Sequence, residues 1–353
     1  MKEQSFIKKV TGARLFLPLL CLAIVLLVSV SYTHSFFVVT IKNGVLYGYI
    51  IDIINRASEL AILAIGMTLV ASSSGGTDIS VGAIMAVTAA VVTYICAGGQ
   101  QAVSTLAGPL VIAILAGLVV SLLCGIWNGF LVANLGVQPM VATLILYTAG
   151  RGIAQLITKG QITYIRVDSY KVLGSTIGKC PIPTPIFVAV IMIVLSALIL
   201  KYTALGLYIQ TVGINSRAAK LVGLKPVAIQ FLTYAICGLF AGIAGVVASS
   251  RIYSCDANNI GLNIELDAIL AVALGGNSLA GGKFSLAGSL IGAYTIQALT
   301  TTLYSMGVSA DVLPVYKAIV VVIIVSLQSP ELMKFFHRIK AKRAVASAQR
   351  MGD

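Results

Sequence analysis

The sequence predicts an all-α membrane protein, a polytopic bundle of about ten transmembrane helices with its N- and C-termini in the cytoplasm. Hydrophobic residues make up 58% of the 353 residues, charged residues only 10%, and the mean hydropathy is +1.00. A soluble domain carries about a quarter of its residues as charged side chains. The apolar runs are continuous rather than alternating, which favours helices over a barrel as the structure that satisfies the backbone in lipid.

Ten apolar runs are candidate spans, since each crossing of the hydrocarbon layer needs roughly 20 mostly apolar residues. The first run has a basic start like a signal peptide, but no small-residue cleavage site follows it, so it is interpreted as an uncleaved helix. The predicted spans lie near residues 15–33, 53–73, 79–97, 108–133, 139–157, 184–201, 227–248, 263–279, 285–305 and 313–329.

The net charge of +13 is concentrated in three segments, residues 1–14, 202–226 and 331–353. Cationic segments beside spans mark the cytoplasmic side, and an even number of spans places all three segments there. Membrane orientation, rather than binding to nucleic acid, therefore explains the charge. The segment 158–183 opposes this topology because its four basic residues fall outside, so the number of spans could differ by one or two.

The segment 201–226 looks soluble although it lies between two very hydrophobic runs. It carries four positive charges and no acid, and its Ala218–Ala219 centre, with Gly213 and Gly223 on either side, predicts a short helix. A structured basic loop of this kind indicates a docking place. We interpret it as the point where a separate, energy-supplying protein pushes on a membrane pore.

Two parts of the chain are similar in sequence, and we call this similarity the internal echo. A shift of 206 positions aligns, without a gap, Glu59–Leu60 with Glu265–Leu266, Gly75–Gly76 with Gly281–Gly282, and Gly82 with Gly288. Glycine-interrupted short segments at matching positions of two halves indicate a translocation pathway in transporters. Chance similarity between glycine-rich helices is the alternative, and the sequence leaves both open.

Polar residues in two places are candidates for the pathway or its hinges. Asp78 and Ser80 follow the first glycine pair and suit the capping of the next helix, whose free amide hydrogens their oxygens can accept. They could also form a polar break that lines a pathway. Asn128 and Gln138 bracket a turn, and their neutral amides suit either sugar hydroxyls or a bridge between helices.

Two acidic groups differ in their surroundings. Asp52, Arg56 and Glu59 are spaced to share one helix face, where they can neutralise each other. Glu265 and Asp267 instead open an apolar run with no cation beside them, and the candidate partners upstream are Arg251 and Asp256. Ionisable groups at membrane depth indicate function, whereas the same groups at an interface are solvated charges.

The sequence lacks the residue patterns of several kinds of catalytic or binding site. There is no phosphate-cradling Gly-x-x-x-x-Gly-Lys-Ser/Thr motif, and two histidines are too few for a metal or catalytic site. The six cysteines show no paired spacing. Cys180 and Cys255 both fall in predicted outer loops, where they could form a disulfide or remain free thiols. The sequence therefore predicts no enzyme, no metal and no cofactor on this chain.

The motifs resemble those of bacterial ABC importer permeases for monosaccharides, the ribose, galactose and xylose systems. The matching segments are Gly66–Val70, Gly75–Gly82, Asn128–Val132, Pro139–Leu144, Arg151–Gly152, 203–224, Glu265–Ala271 and Gly275–Gly282. The resemblance covers residues 15 to 330, the expected permease domain. Asn43–Ala57 and Cys255–Gly261 are most similar to galactofuranose-type permeases, while Thr77 and Phe284 depart from the family pattern.

The resemblance implies the pore subunit of an importer in the bacterial cytoplasmic (inner) membrane. It implies a homodimer or a heterodimer with a similar permease, two cytoplasmic ATPase subunits that hold ATP and Mg²⁺, and an extracytoplasmic binding protein that delivers a galactofuranose-, galactose- or pentose-like sugar. The implied coupling positions are Gly213, Asn215, Ala218, Ala219 and Gly223. ATP-driven closure would then switch the helices between outward- and inward-open states.

Two other classes remain as alternatives. An ion-coupled secondary transporter would use a membrane carboxylate, for which Asp78, Glu265 or Asp267 could serve. A membrane enzyme such as a lipid-linked sugar transferase would need acidic pairs for a metal in a wet loop, and none is evident.

Overall fold

A computed structural model describes residues 15–33, 35–42, 44–178 and 180–328. The basic termini, 1–14 and 331–353, lie outside the described residues. The helices are α1 Phe16–Tyr32, α2 Tyr49–Ser74, α3 Val81–Ala97, α4 Leu110–Gly129, α5 Pro139–Thr158, α6 Asp168–Lys171, α7 Thr184–Tyr202, α8 Leu205–Ile214, α9 Ser216–Leu221, α10 Pro226–Ile252, α11 Ile264–Leu274, α12 Leu286–Ser305 and α13 Leu313–Gln328.

A helix occupies each of the ten predicted spans. Among the described residues, five helices are long and apolar enough to cross a membrane, namely α2, α4 with its π-helical extension Phe130–Asn134, α5, α7 and α10. The helices α1, α3 and α13 are apolar but shorter, and α12 is long enough but rich in threonine and serine. A mostly helical chain with several helices that could span a membrane is therefore confirmed.

The predicted span 263–279 is the clearest departure. Its helix, α11, has 11 residues and ends at Leu274, so it extends only about 16 Å. Gly275 is the C-cap of this helix, and Gly276 takes a left-handed φ of 76° that prevents the helix from continuing. The chain from 275 to 285 is irregular until α12 begins at Leu286, so the predicted span is broken rather than continuous.

The described part of the chain contains five short strands, which gather at one end of the helix bundle, here called the sheet end. β1 (Thr40–Lys42) and β2 (Val45–Tyr47) form an antiparallel hairpin. β4 (Thr163–Ile165) lies between parallel β3 (Ala102–Val103) and antiparallel β5 (Ser254–Cys255). Because these strands follow α1, α3, α5 and α10, the same ends of those helices meet here.

The core is built around α2 and α10, which are mostly buried. Their small residues permit close approach. A Cβ on Gly66 of α2 would stand 3.0 Å from the Cα of Cys237 in α10, and a Cβ on Gly125 of α4 would stand 2.5 Å from the Tyr234 carbonyl oxygen. In contrast, α4, α5 and α7 keep largely exposed apolar faces, as expected of surfaces that lipid or another subunit covers.

The basic segment 201–226 is only partly the loop that the sequence suggested. Its first half forms α8, whose Ile209 and Val212 are buried in a cluster with Leu69 of α2 and Ile229 of α10. The second half contains the predicted short helix, α9. The segment is thus anchored in the bundle by α8 and presents α9 outside it.

Candidate functional site

The two glycine pairs of the internal echo lie next to each other, at the end of the bundle opposite the sheet end; we call this the glycine end. A Cβ on Gly75 would stand 3.0 Å from the Ala280 carbonyl oxygen, and one on Gly281 would stand 3.4 Å from the Cα of Gly75. The Gly282 amide donates a hydrogen bond to the Ser72 carbonyl oxygen at 3.0 Å. The last turn of α2 and the 275–285 turn are therefore joined through backbone groups.

Gly281 and Gly282 both have left-handed φ angles, 97° and 100°. A residue with a Cβ is strained in that region, whereas glycine enters it freely. The shape of the turn that meets α2 therefore depends on this pair. Gly76, by contrast, is required by space, because a Cβ there would stand 2.4 Å from the Cβ of Pro139.

Gly213, near the end of α8, lies against both breaks. A Cβ at this position would stand 1.7 Å from the Ser72 carbonyl oxygen and 2.6 Å from the Gly282 amide nitrogen. The hydrogen atom of glycine is what allows the α8 backbone to touch the end of α2 and the 275–285 turn together. Gly213 therefore connects the basic segment to the two breaks, which the sequence did not indicate.

The short helix α9 is built as the sequence predicted. Asn215 is its N-cap, and the Asn215 side-chain oxygen accepts a hydrogen bond from the Ala218 amide at 3.0 Å. Such caps satisfy free amides at a helix start. At the other end, Gly223 takes a left-handed φ of 84° and its amide donates to the Lys220 carbonyl oxygen at 3.1 Å.

Most of α9 faces outward. Ala219 is fully buried against the cluster around α8, whereas Leu221 is 89% exposed and Val222 is 73% exposed. Arg217 and Lys220 are exposed as well. The helix therefore presents an apolar and basic surface at the glycine end, held in place by one small buried residue.

Asp78, Ser80 and Asn128 form a fully buried polar cluster between α2, α3 and α4. The Asp78 carboxylate accepts from the Ser80 amide at 2.9 Å and the Ser80 hydroxyl at 2.6 Å. Asn128 donates to the Ser80 hydroxyl oxygen at 2.8 Å and lies 3.4 Å from the Asp78 carboxylate oxygens. Asp78 thus accepts from the N-cap residue Ser80 itself. No side-chain cap of α3 forms, so the predicted capping of its free amides by Asp78 and Ser80 is not made in this structure.

Gln138 is not part of this cluster. It is exposed in the turn before α5, and its side chain makes no capping hydrogen bond. Among the described residues, the Asn128 side-chain oxygen is buried without a hydrogen-bond partner. Asn128 therefore acts as a bridge from α4 to the residues before α3, whereas Gln138 belongs to the surface of the glycine end.

The acidic residues pair differently from the sequence expectation. Arg56 contacts Asp52 at 2.7 Å on α2, as their spacing predicted. Arg251 of α10, however, contacts Glu59 at 3.1 Å and not the acids of α11. Asp267 pairs with Lys317 of α13 at 2.7 Å, so the expectation that no cation lies near it was wrong.

Glu265 is almost completely buried and faces the start of α3. A Cβ on Gly82 would stand 2.3 Å from the Glu265 side-chain oxygen Oε2, which has no hydrogen-bond partner among the described residues. The other candidate partner of this region, Asp256, is engaged locally and accepts from the Asn258 amide at 3.0 Å. Glu265 thus lies where the two segments of the echo meet.

A cavity with a volume of about 1040 Å³ opens at the sheet end. Its walls come from the β1–β2 hairpin, the first turns of α2, the last turn of α10, α11 and the second half of α12. The lining side chains that carry charge or amide groups are Asp52, Arg56, Glu59, Arg251, Asp267 and Gln297. Of the predicted pathway residues, only Asp267 lines it.

The predicted site residues thus separate into two groups. Asp78 with Ser80 and Asn128, and the glycine pairs with Gly213, lie in the interior or at the glycine end, whereas Asp267 faces the cavity at the sheet end. Sequence reasoning did not find Lys317 or Gln297. No local signal identifies them, because their partners are far away in the chain.

The described residues contain no group of three or more His, Cys, Asp or Glu side chains that could hold a metal ion. Cys180 and Cys255 are both free thiols, with Cys255 buried, so the disulfide alternative is not the arrangement in this structure. What the described residues offer is a set of polar contacts between helices and a polar cavity.

Three curated relatives match nearly the whole chain. A galactofuranose transporter permease protein, YtfT of Escherichia coli, is 44% identical over 92% of both chains. A fructose import permease protein, FruF of Bifidobacterium longum, is 36% identical over 97% of this chain and 95% of its own. A ribose import permease protein, RbsC of Escherichia coli, is 34% identical over 86% of this chain and 91% of its own.

No solved structure matches the chain. The family model for the permease component of branched-chain amino acid transport systems matches residues 49–327. That range holds the glycine end, the Asp78 cluster, α9 and most of the cavity. By this match and by the similarity of its relatives, the chain belongs to this family of ABC transporter permease components, which are transport subunits and not enzymes.

Proposed function

We propose that this chain is the permease subunit of an ATP-binding-cassette importer that carries galactofuranose, galactose or a related hexose or pentose. The permeases that it resembles are named for galactofuranose, fructose and ribose, all of them monosaccharides. The structural observation that carries the proposal is the contact of Gly213 with both glycine breaks, since an importer driven from outside its own chain needs such a connection.

The proposed topology has about ten crossings, with the glycine end and both termini in the cytoplasm of a bacterium. Each segment at the sheet end is followed by a helix that returns to the glycine end. In this arrangement α11 and the 275–285 turn together make one broken crossing. Broken crossings are tolerated where protein or a water-filled cavity surrounds the irregular backbone. Residues 15–330 then form the membrane domain, with basic segments 1–14 and 331–353 on the cytoplasmic side.

The proposed coupling surface is α9, on which a cytoplasmic ATPase subunit would dock. The exposed Leu221 and Val222 give it apolar contact area, and Arg217 and Lys220 give it positive charge. A rigid displacement of α9 would move α8 through the Asn215 cap. Gly213 would pass that movement to the end of α2 and to the 275–285 turn, which shifts packed helices between two arrangements.

The remaining partners follow from this arrangement. A second permease copy, or a similar permease, would cover an exposed apolar face of the bundle and complete the pore. An extracytoplasmic binding protein would deliver the sugar at the sheet end. ATP and Mg²⁺ would be held by the ATPase subunits, since this sequence has no phosphate-binding loop.

The ion-coupled alternative has less support. Asp267 is neutralised by Lys317, and Asp78 holds backbone and side-chain donors rather than facing the cavity. The relatives in the comparison are permeases of import systems. An ion-coupled carrier would also leave the exposed α9 without a role.

The test is ATP hydrolysis by the reconstituted complex of this chain, its ATPase and its binding protein. We expect the binding protein with one sugar of a galactose, fructose and ribose panel to stimulate hydrolysis. Leu221→Ser should weaken ATPase association, whereas Leu156→Ser, at a similarly exposed leucine on α5, should not. An ATPase that fails to co-purify with the unsubstituted chain would contradict the proposal.

A further inference from the structure

The cavity at the sheet end is lined by two polar stripes, one on α2 and one on α12. On α2 the stripe is Asp52, Arg56 and Glu59, spaced four and three residues apart on one helix face. On α12 the stripe is Gln297, Thr301 and Tyr304, also spaced four and three apart. Polar stripes on membrane helices are costly unless they face protein partners or water, and these two stripes face the same space.

The cavity runs inward from an open mouth to a buried floor. The side chains of Arg56 and Asp52 at the mouth are 57% and 43% exposed, whereas those of Arg251 and Glu59 are 17% and 13% exposed. Seven residues of helix separate Asp52 from Glu59, which corresponds to about 10 Å. A monosaccharide fits within a space of this depth and of about 1040 Å³.

The charges of the cavity cancel in pairs. Asp52 is paired with Arg56, Glu59 with Arg251, and Asp267 with Lys317, at 2.7, 3.1 and 2.7 Å. A site for a carboxylate or phosphate would hold a cation free for it, commonly an arginine in two-point contact. Here each of these three arginine and lysine side chains already faces an acid, so a charged cargo would have no countercharge.

Hydrogen-bonding capacity nevertheless remains. The Arg251 Nε group is buried and has no hydrogen-bond partner among the described residues. Gln297 makes one long bond, from its amide nitrogen to the Thr301 hydroxyl at 3.3 Å. Each paired carboxylate also has a second oxygen. Such a mixture of donors and acceptors suits hydroxyl groups, which both donate and accept.

We infer that this cavity is a sugar subsite of the permease itself, selective for uncharged monosaccharides over sugar acids, with Gln297 as a specificity-determining residue. The inference rests on the proposed function and deepens it by naming where the cargo contacts the permease and which class it belongs to. Binding there is weak, because a site on a transport route must release its cargo. Selectivity against charge arises from the paired ions and not from the delivering protein.

The test uses the complex of this chain with its ATPase, without binding protein, and saturation-transfer NMR with galactose and galacturonate. The sugars are applied at about 50 mM, above a millimolar dissociation constant. We expect galactose to bind roughly tenfold more tightly than galacturonate, since an unpaired charge in a partly solvated cavity carries a penalty of that order. Absence of saturation transfer from galactose, or equal binding of the two sugars, overturns the inference.

Charge-adding variants separate specificity from structure. Gln297→Lys places an unpaired cation in the cavity and should shift the preference toward galacturonate by roughly tenfold. Gln155→Lys is the matched control, because Gln155 lies at the sheet end outside the cavity and contacts Asn258. If Gln297→Lys fails to fold, Tyr304→Lys at the exposed mouth is used instead. Equal sugar preferences in the cavity variant and the control contradict the inference.

The two proposals fail separately. If ATP hydrolysis responds to binding protein and sugar while the charge-adding variants leave sugar preference unchanged, the importer stands and the subsite is wrong. If the ATPase does not associate, the importer proposal fails. Sugar preference measured on the purified chain alone then still decides whether the cavity selects uncharged monosaccharides.

Discussion

Gly213→Ala tests the connection between α9 and the glycine breaks. The added Cβ would stand 1.7 Å from the Ser72 carbonyl oxygen and 2.6 Å from the Gly282 amide nitrogen. Both are backbone atoms and cannot rotate away. The Ser72 carbonyl oxygen also accepts the hydrogen bond from Gly282, so the substitution acts at the point where α2, α8 and the 275–285 turn meet.

The expected loss of stability follows from how far α8 would have to move. Ordinary van der Waals contact begins near 3.4 Å, so the α8 backbone would have to move about 1.7 Å from Ser72. Inserting atoms into a packed core costs about 1–3 kcal/mol. Alanine gains at most about 1 kcal/mol over glycine in a helix, so we expect net destabilisation and a separated contact.

The assay compares Gly213→Ala with Gly152→Ala in the reconstituted complex. Gly152 lies in α5, and a Cβ there meets nothing within 4 Å, so its alanine variant should be neutral or slightly stabilising. Thermal unfolding of the purified complex gives stability, and sugar uptake per ATP hydrolysed gives coupling. Gly213→Ala should lower the unfolding temperature and reduce uptake per ATP severalfold. Equal behaviour of the two alanine variants in both measurements would refute the coupling argument.

Three further predictions concern single contacts. Asn215→Ala removes the cap of α9, should destabilise that helix by about 1 kcal/mol, and should weaken ATPase binding measured by co-purification. Lys317→Ala leaves Asp267 without its cation and should cost about 3 kcal/mol in thermal unfolding. Adding Asp267→Asn to this variant should restore most of the lost stability. Asp78→Asn keeps an acceptor for Ser80, so it should cost about 1 kcal/mol and leave ATP-driven uptake in place; uptake driven by an ion gradient in the unsubstituted chain and lost in a folded Asp78→Asn variant would favour ion coupling.

The sequence was sufficient for the helices and insufficient for their contacts. Continuous apolar runs predict where helices form, and all ten predicted positions contain one. The sequence predicted the break at Gly281–Gly282 but placed the end of the preceding helix at 279 rather than Leu274, because Gly275 and Gly276 lie in a run that is still apolar on average. Window-based hydrophobicity does not register a left-handed glycine.

The site shows the same division. The Asn215 cap and the short helix around Ala219 are local, so composition and spacing predicted them. The pairs Glu59–Arg251 and Asp267–Lys317 join helices far apart in the chain, and no spacing rule identifies them. Likewise, the sequence indicated a free basic loop because α8, although apolar, has only 10 residues and is too short to stand out as a span. Its burial became evident only from packing against α2 and α10.

The most direct test of the account is sugar uptake into proteoliposomes that contain this chain, its ATPase and its binding protein. Uptake is measured once with ATP on the ATPase side and all ion gradients collapsed, and once with proton and sodium gradients but no ATP. The account predicts uptake in the first condition only. Uptake that follows an ion gradient without ATP would contradict it.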